Sequence, residues 1–338
     1  MGRNHNGISP SAPRWTMLAT LAILATLAIL AACSTPRVPA VAPTTAPPTT
    51  STTQPAPTSA PTTTAAPLQQ SSAPTITATV AKPISKAVVS LSPTATETIF
   101  ALGAGGLVKA VDNLSSYPLS APRTDLTSAT PDIEKLMAFG PDLVVLSEDQ
   151  AGTAATLTAR GVSVILQPPA TSLDDSYAQI RQLGATIGKT PEAEQLVGGM
   201  QAKIAEIVSK TPSLPLRYYH ERTDQFATVT SASFLGQLYG LLNLRSIADA
   251  NAVPGAREAT LSAQAIIDAN PDLIVLADTK CCRQTSDTLR ARPGWSALTA
   301  ITTNTVVIVD DDLANRWGPR IVDLLQAISG RLLARTAS

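Results

Sequence analysis

Histidine, cysteine, aromatic side chains and net charge are all scarce in this chain. Two His and three Cys in 338 residues supply neither a multi-histidine metal centre nor a disulfide framework. Lys plus Arg number 25 and Asp plus Glu 25, and a chain with no basic excess is a poor match for a nucleic-acid backbone. Charged residues make up 15%, aromatics 4% and apolar types 44%. That is lean in charge, yet far too polar for a multi-span membrane protein. Neither G-x-S-x-G nor H-E-x-x-H occurs, and no acid, base and nucleophile fall into a catalytic pattern, so an enzyme is not expected. Gly184-Ala185-Thr186-Ile187-Gly188-Lys189-Thr190 imitates a phosphate loop, but spaces its glycines by three residues where four are required. Asp310-Asp311-Asp312 reads as a solvated turn after a strand.

What the chain does have begins with an address. Arg3 and Arg14 precede Met17–Ala32, apolar except for Thr20 and Thr26, and Leu30-Ala31-Ala32 leads into Cys33. Small residues before a Cys suit a lipoprotein signal peptidase, so residues 1–33 read as a signal peptide and lipobox with Cys33 the lipidated residue. This sixteen-residue stretch is short for a membrane span of ~20. Residues 34–80 hold 14 Thr, 10 Pro, 9 Ala and 5 Ser with a single charge, Arg37. Such a composition cannot offset its ordering entropy, so this stretch is expected to be a disordered tether. The combination places the remainder outside the cytoplasm, lipid-anchored to the membrane.

From residue 81 onward, short apolar runs alternate with helical stretches: Ala87–Leu91, Leu143–Leu146, Val162–Leu166, Arg217–His220, Leu273–Leu276 and Val306–Val309. This alternation predicts an α/β fold with largely parallel sheets. The chain also echoes itself, since Pro141-Asp142-Leu143-Val144-Val145-Leu146 returns as Pro271-Asp272-Leu273-Ile274-Val275-Leu276. A helix candidate precedes each copy, at Asp132–Phe139 and Ser262–Ala269, so two similar lobes are expected. One long helix lies between them. Thr190 is its expected cap, Pro191 suits the first position, and Leu196, Val197, Met200, Ile204, Ile207 and Val208 keep helical spacing up to Pro212. The expected domains are an N-terminal lobe over 81–188, a connecting helix over 189–211 and a C-terminal lobe over 212–338.

These residues resemble a known family. Val89–Glu97 followed by Ala101-Leu102-Gly103-Ala104, then Ser116-Tyr117-Pro118, Ile133-Glu134, Pro141-Asp142-Leu143 and Trp317-Gly318-Pro319-Arg320, follow the order of the helical-backbone metal-receptor binding proteins. These are ABC-importer receptors for ferric siderophores, haem and vitamin B12. The resemblance implies two Rossmann-like lobes, a single long connecting helix and a ligand cleft between them. It implies a monomer that needs no cofactor, takes a small metal chelate and hands it to permease subunits. The family's docking carboxylates fall on Glu134 and on Gln264, so the second position departs from Glu; Glu258 nearby is a candidate substitute.

Ligands of open α/β sheets sit beyond the carboxyl ends of strands. That rule selects Ser92, Tyr117, His220, Arg222, Phe226, Lys280, Arg283, Arg316 and Trp317. Tyr117 and Trp317 offer flat faces to a chelate ring or pack their own loops, while Trp295 reads as core at a helix start. The four cations suit an anionic ferric siderophore, which makes that chelate the first expectation. Cobalamin, nearly neutral and better served by aromatics, is the alternative, as is haem with His220 or Tyr219 as axial ligand. An envelope enzyme or adhesion module reusing the fold is the alternative of another class. Free-metal binding is disfavoured by the single His of the folded part. Adjacent Cys281 and Cys282 could close a vicinal disulfide or remain two free thiols.

Overall fold

A computed structural model describes residues 87–150 and 152–336. The signal peptide, Cys33 and the tether therefore lie outside the described residues. Among those described, no helix is long and apolar enough to cross a membrane.

The first half builds one parallel sheet from β1 (Val88–Leu91), β2 (Val108–Val111), β3 (Leu143–Leu146) and β4 (Ser163–Leu166), in the order β2-β1-β3-β4. Every residue of β1 and β3 is buried, as a strand covered by helices on both faces requires. The helices are α1 (Pro93–Ala101), α2 (Ile133–Met137), α3 (Thr153–Ala159) and α4 (Leu173–Thr186). Next comes α5 (Thr190–Lys210), 21 residues and about 32 Å long. The expected cap shifts by one position. Lys189 is the N-cap without a side-chain bond, so Thr190 already lies inside the helix ahead of Pro191.

The second half repeats the plan. Strands β5 (Leu216–Glu221), β7 (Leu244–Ser246), β9 (Leu273–Leu276) and β10 (Val306–Ile308) form a parallel sheet ordered β10-β9-β5-β7. The Pro-Asp echo is thus structural, because β3 and β9 each lie beside the first strand of their own sheet. A two-stranded antiparallel ribbon of β6 (Ala227–Val229) and β8 (Glu258–Thr260) is added here; strands this short carry too little periodicity to be read from sequence. The helices are α6 (Phe234–Gly240), α7 (Ala263–Ala269), α8 (Thr279–Cys282), α9 (Ser286–Ala291), α10 (Thr299–Thr302), α11 (Asp311–Ala314) and α12 (Ile321–Thr336).

One apolar core runs through both halves, from Val88 and Ile99 through Val197 and Met200 of α5 to Tyr218, Leu324 and Ile328. The connecting helix is not the sole tie. Asp311–Arg320 crosses back onto the first lobe, where buried Glu97 of α1 receives Arg316 Nη1 at 3.1 Å and Arg320 Nε and Nη2 at 3.0 and 2.6 Å. A Cβ on Gly318 would lie 3.2 Å from Thr94 Cγ2, so this strap sits close enough to α1 to favour glycine. Removing one partner from a buried ion cluster leaves uncompensated charge. Glu97→Ala should lower stability by about 3–5 kcal/mol, read as a shift in the denaturant midpoint. A loss below about 1 kcal/mol, the level of an exposed pair, would show that the cluster does not tie the lobes.

Candidate functional site

The strand carboxyl ends of both sheets face a cavity of about 170 Å³. Its walls come from Pro169 and Ala170 after β4, Arg222 after β5, Val229 of β6 and the start of α6 at Ser233, Phe234 and Leu235. Arg257 and Glu258 supply one rim, and Asn315, Arg316 and Trp317 of the strap another. Trp317 is held in place from the first lobe, donating Nε1 to Gln179 Oε1 at 2.8 Å while its carbonyl accepts from Ser176 Oγ at 2.5 Å. Beside it, a second hollow of about 380 Å³ is lined by Glu97, Phe100, Tyr117, Pro118 and Arg320 among others. The Arg320 guanidinium lies 4.1 Å from the Tyr117 ring centroid, a cation–π contact on one face of an exposed ring. A larger hollow, about 650 Å³, lies between the far end of α1, α5 and α12. That is the amino end of the strands, where open α/β sheets do not place ligands.

Three of the nine predicted ligand residues, Arg222, Arg316 and Trp317, line the interlobe cavity, and Tyr117 lines the hollow beside it. The others are placed differently. Ser92 is 1% exposed and caps α1, its Oγ accepting from Ala95 N at 3.3 Å. Phe226, at φ 61°, stacks on the buried Trp295 and joins the outer core of the second lobe. His220 is wholly buried, with Nδ1 2.9 Å from Tyr239 Oη, which removes it as an axial ligand. Lys280 and Arg283 belong to α8 and its left-handed cap.

The predicted cations are largely neutralised. Arg222 is ion-paired with Glu258 and donates to Asn315 Oδ1 at 3.3 Å. Glu258, the candidate substitute for Gln264, lies on the rim of this cavity. Lys280 Nζ lies 2.7 Å from Asp310 and 2.8 Å from Asp312, and Arg316 is committed to Glu97. Of the four, only Arg283 is exposed without a side-chain partner among the described residues. The pairings span 30 to 219 positions, so sequence spacing could not reveal them.

The Asp310–Asp312 run is no solvated turn. Asp311 is buried and accepts from Thr279 N, Lys280 N and Cys281 N at 2.7, 2.9 and 3.0 Å, closing the start of α8. Asp312 Oδ2 accepts from Ser116 Oγ of the first lobe at 2.6 Å. Burial works against its charge, yet bonds from Lys280 and Ser116 hold its carboxyl below the usual range. Cys281 and Cys282, on the same short helix, are disulfide-bonded to each other. Behind this turn, Arg292 makes two 2.6 Å bonds to buried Glu221. Burial, then the neighbouring Glu221, pushes the Asp278 carboxyl up. Glu134 is exposed on α2 and paired with Arg160 at 2.7 Å, and Gln264 donates to Asp268 at 2.7 Å.

Residues 88–313 match the family model described as periplasmic binding protein. The chain belongs to that family. It is similar to YvrC of Bacillus subtilis (strain 168), an uncharacterized ABC transporter substrate-binding lipoprotein, at 26% identity over 72% of this chain and 79% of that protein. It is also similar to a vitamin B12-binding protein of Pectobacterium atrosepticum, at 27% identity over 75% of this chain and 91% of that one. Among solved structures, the periplasmic haem-binding protein HutB of Vibrio cholerae superposes with a TM-score of 0.64 at 21% identity, over 73% of this chain and 98% of its own. The expected two-lobe α/β architecture is thereby borne out.

Burial, and then the charge of Arg222, depress the His220 pKa to about 3, against an ordinary value near 6.5. A depressed value means that the folded state resists protonation. Its stabilising contribution is present above about 6.5 and lost as pH falls toward 3. His220→Gln should be less stable than the wild type at pH 7, and the difference should narrow on acidification to about pH 4. Thermal unfolding across that range is the measurement; a constant difference would show that the ring takes up its proton without resistance.

Proposed function

We propose that this periplasmic binding protein captures a corrinoid, with cobalamin foremost, and delivers it to an ABC permease while held at the membrane through a lipid on Cys33. The observation that carries the choice of ligand is how few free charges line the cavity: Glu258 pairs with Arg222, Glu97 receives Arg316, Arg257 alone of the lining cations has no side-chain partner among the described residues, and Trp317 and Phe234 present flat apolar faces. A large, weakly charged body held by stacking and hydrogen bonds suits such a lining. Cobalamin exceeds the enclosed volume, so its ring would lie across the cleft mouth with one arm inside. The relatives named for vitamin B12 support the same choice. A ferric siderophore, the expectation built on four cations, is the second reading, and exposed Arg283 is what favours it.

Titration of Trp fluorescence with cyanocobalamin, haem and a ferric hydroxamate separates the readings. Cyanocobalamin should bind at micromolar concentration or below, and Trp317→Ala should weaken it about tenfold or more, some 1.4 kcal/mol. Binding of the hydroxamate alone would replace this reading with the second one, and silence with all three would remove the receptor function.

Membrane attachment and docking are separable from capture. Cys33→Ser should release the protein from membranes with unchanged affinity, because residue 33 lies far ahead of β1 in the chain; a membrane-bound variant on fractionation would discount the lipid anchor. Glu134→Ala should reduce uptake at unchanged affinity, because Glu134 lines neither the interlobe cavity nor the hollow beside it. Gln264→Glu should strengthen permease binding, most visibly at low salt, where exposed charges are least screened. Normal uptake by Glu134→Ala would assign docking to another residue.

A further inference from the structure

The cavity lining carries three guanidinium groups, and they are not equivalent. Arg316 is 7% exposed and spends its donors on Glu97 Oε1, the Leu114 carbonyl and Ser116 Oγ. Arg222 is held by Glu258 and Asn315. Arg257 is exposed and has no side-chain hydrogen bond or ion pair among the described residues. Its backbone is nevertheless anchored, since its carbonyl accepts from Thr230 N at 3.1 Å and the next residue, Glu258, opens the paired ribbon opposite Val229. One fixed backbone thus presents two side chains of opposite sign to the same cavity. One is already neutralised and the other is not.

We propose that Arg257 is the anion anchor of the cleft and that Glu258, by masking Arg222, limits the accepted ligand to one anionic group at that position. In a corrinoid the matching group is the single phosphodiester of the nucleotide arm, and the arm is the part an enclosed space of about 170 Å³ can receive. An Arg binds such a group through paired, charge-assisted bonds. A trianionic chelate meets one free cation where it would need several, since the second is already paired with Glu258 and the third with Glu97. The inference rests on the corrinoid reading above and adds to it the part of the ligand that is read.

The full chain is titrated with cyanocobalamin and with dicyanocobinamide, which lacks the nucleotide arm and its phosphodiester. Arg257→Gln should weaken cyanocobalamin roughly ten- to a hundredfold and leave dicyanocobinamide unchanged, while Arg257→Lys should retain most of the lost affinity. Glu258→Gln should unmask Arg222 and raise affinity for a ferric tris-catecholate about tenfold. Wild-type binding of both corrinoids with no loss in Arg257→Gln, or with equal loss for both, overturns the anchor. An unchanged response of Glu258→Gln to the tris-catecholate overturns the masking role. A wild type that binds neither corrinoid overturns the corrinoid reading, and the phosphodiester assignment falls with it.

Discussion

The buried carboxylate of Glu97, shared by Arg316 and Arg320, is the constraint on which the rest of the arrangement depends. It lies on α1, directly after the first strand of the first lobe, while both cations come from the strap that leaves the second lobe. Three charges can stay out of water here only because each is met by several donors or acceptors. That requirement fixes where the strap lies. The strap in turn sets Trp317 against Gln179 and brings Asp312 to Ser116. The cavity walls follow from the ion cluster rather than from the sheets alone.

Local neutrality is the second theme of the cleft. The chain balances 25 cations against 25 anions overall, and around the cavity Arg222 and Arg316 are each met by a carboxylate while Arg257 is not. A cleft assembled this way offers shape, aromatic faces and few free charges. Its affinity must come from apolar contact and from the one or two polar groups that remain unpaired. Selectivity then depends less on how many Arg residues are present than on which of them have a carboxylate within reach.

The fold was legible because its signals are local. Fully buried strands read as continuous Val, Leu and Ile runs, the Pro-Asp pairs mark equivalent strands, and α5 announces itself by period and by Pro191. The site was legible only in outline. The strand-end rule found Arg222, Arg316 and Trp317, but also selected Ser92 and His220, whose side chains turn inward to cap a helix and to meet Tyr239. Position along the chain says which end of a strand a residue occupies, not which way its side chain points. Arg257 was missed because it precedes a three-residue strand with no readable alternation. Glu97 stood in the quoted motif, yet its partners lie some 220 residues away, and nothing in the motif announces them.

Adjacent residues of the Asp310–Asp312 run take separate tasks. A carboxylate cluster in water would repel itself, but here Asp310 and Asp312 share Lys280 while Asp311 turns inward to the exposed amide hydrogens of α8. The turn that carries Cys281 and Cys282 is thus stitched to the strap, and Asp312 stitches the strap to Ser116 of the opposite lobe. Connections at α5, at Glu97 and at Asp312 leave little freedom for one lobe to swing against the other. Wide hinge closure would have to break a buried ion cluster, whereas small adjustments of the cleft-mouth loops break nothing. A preformed cleft of this kind loses less conformational entropy on binding, and its surface is already set for whatever receives the loaded protein.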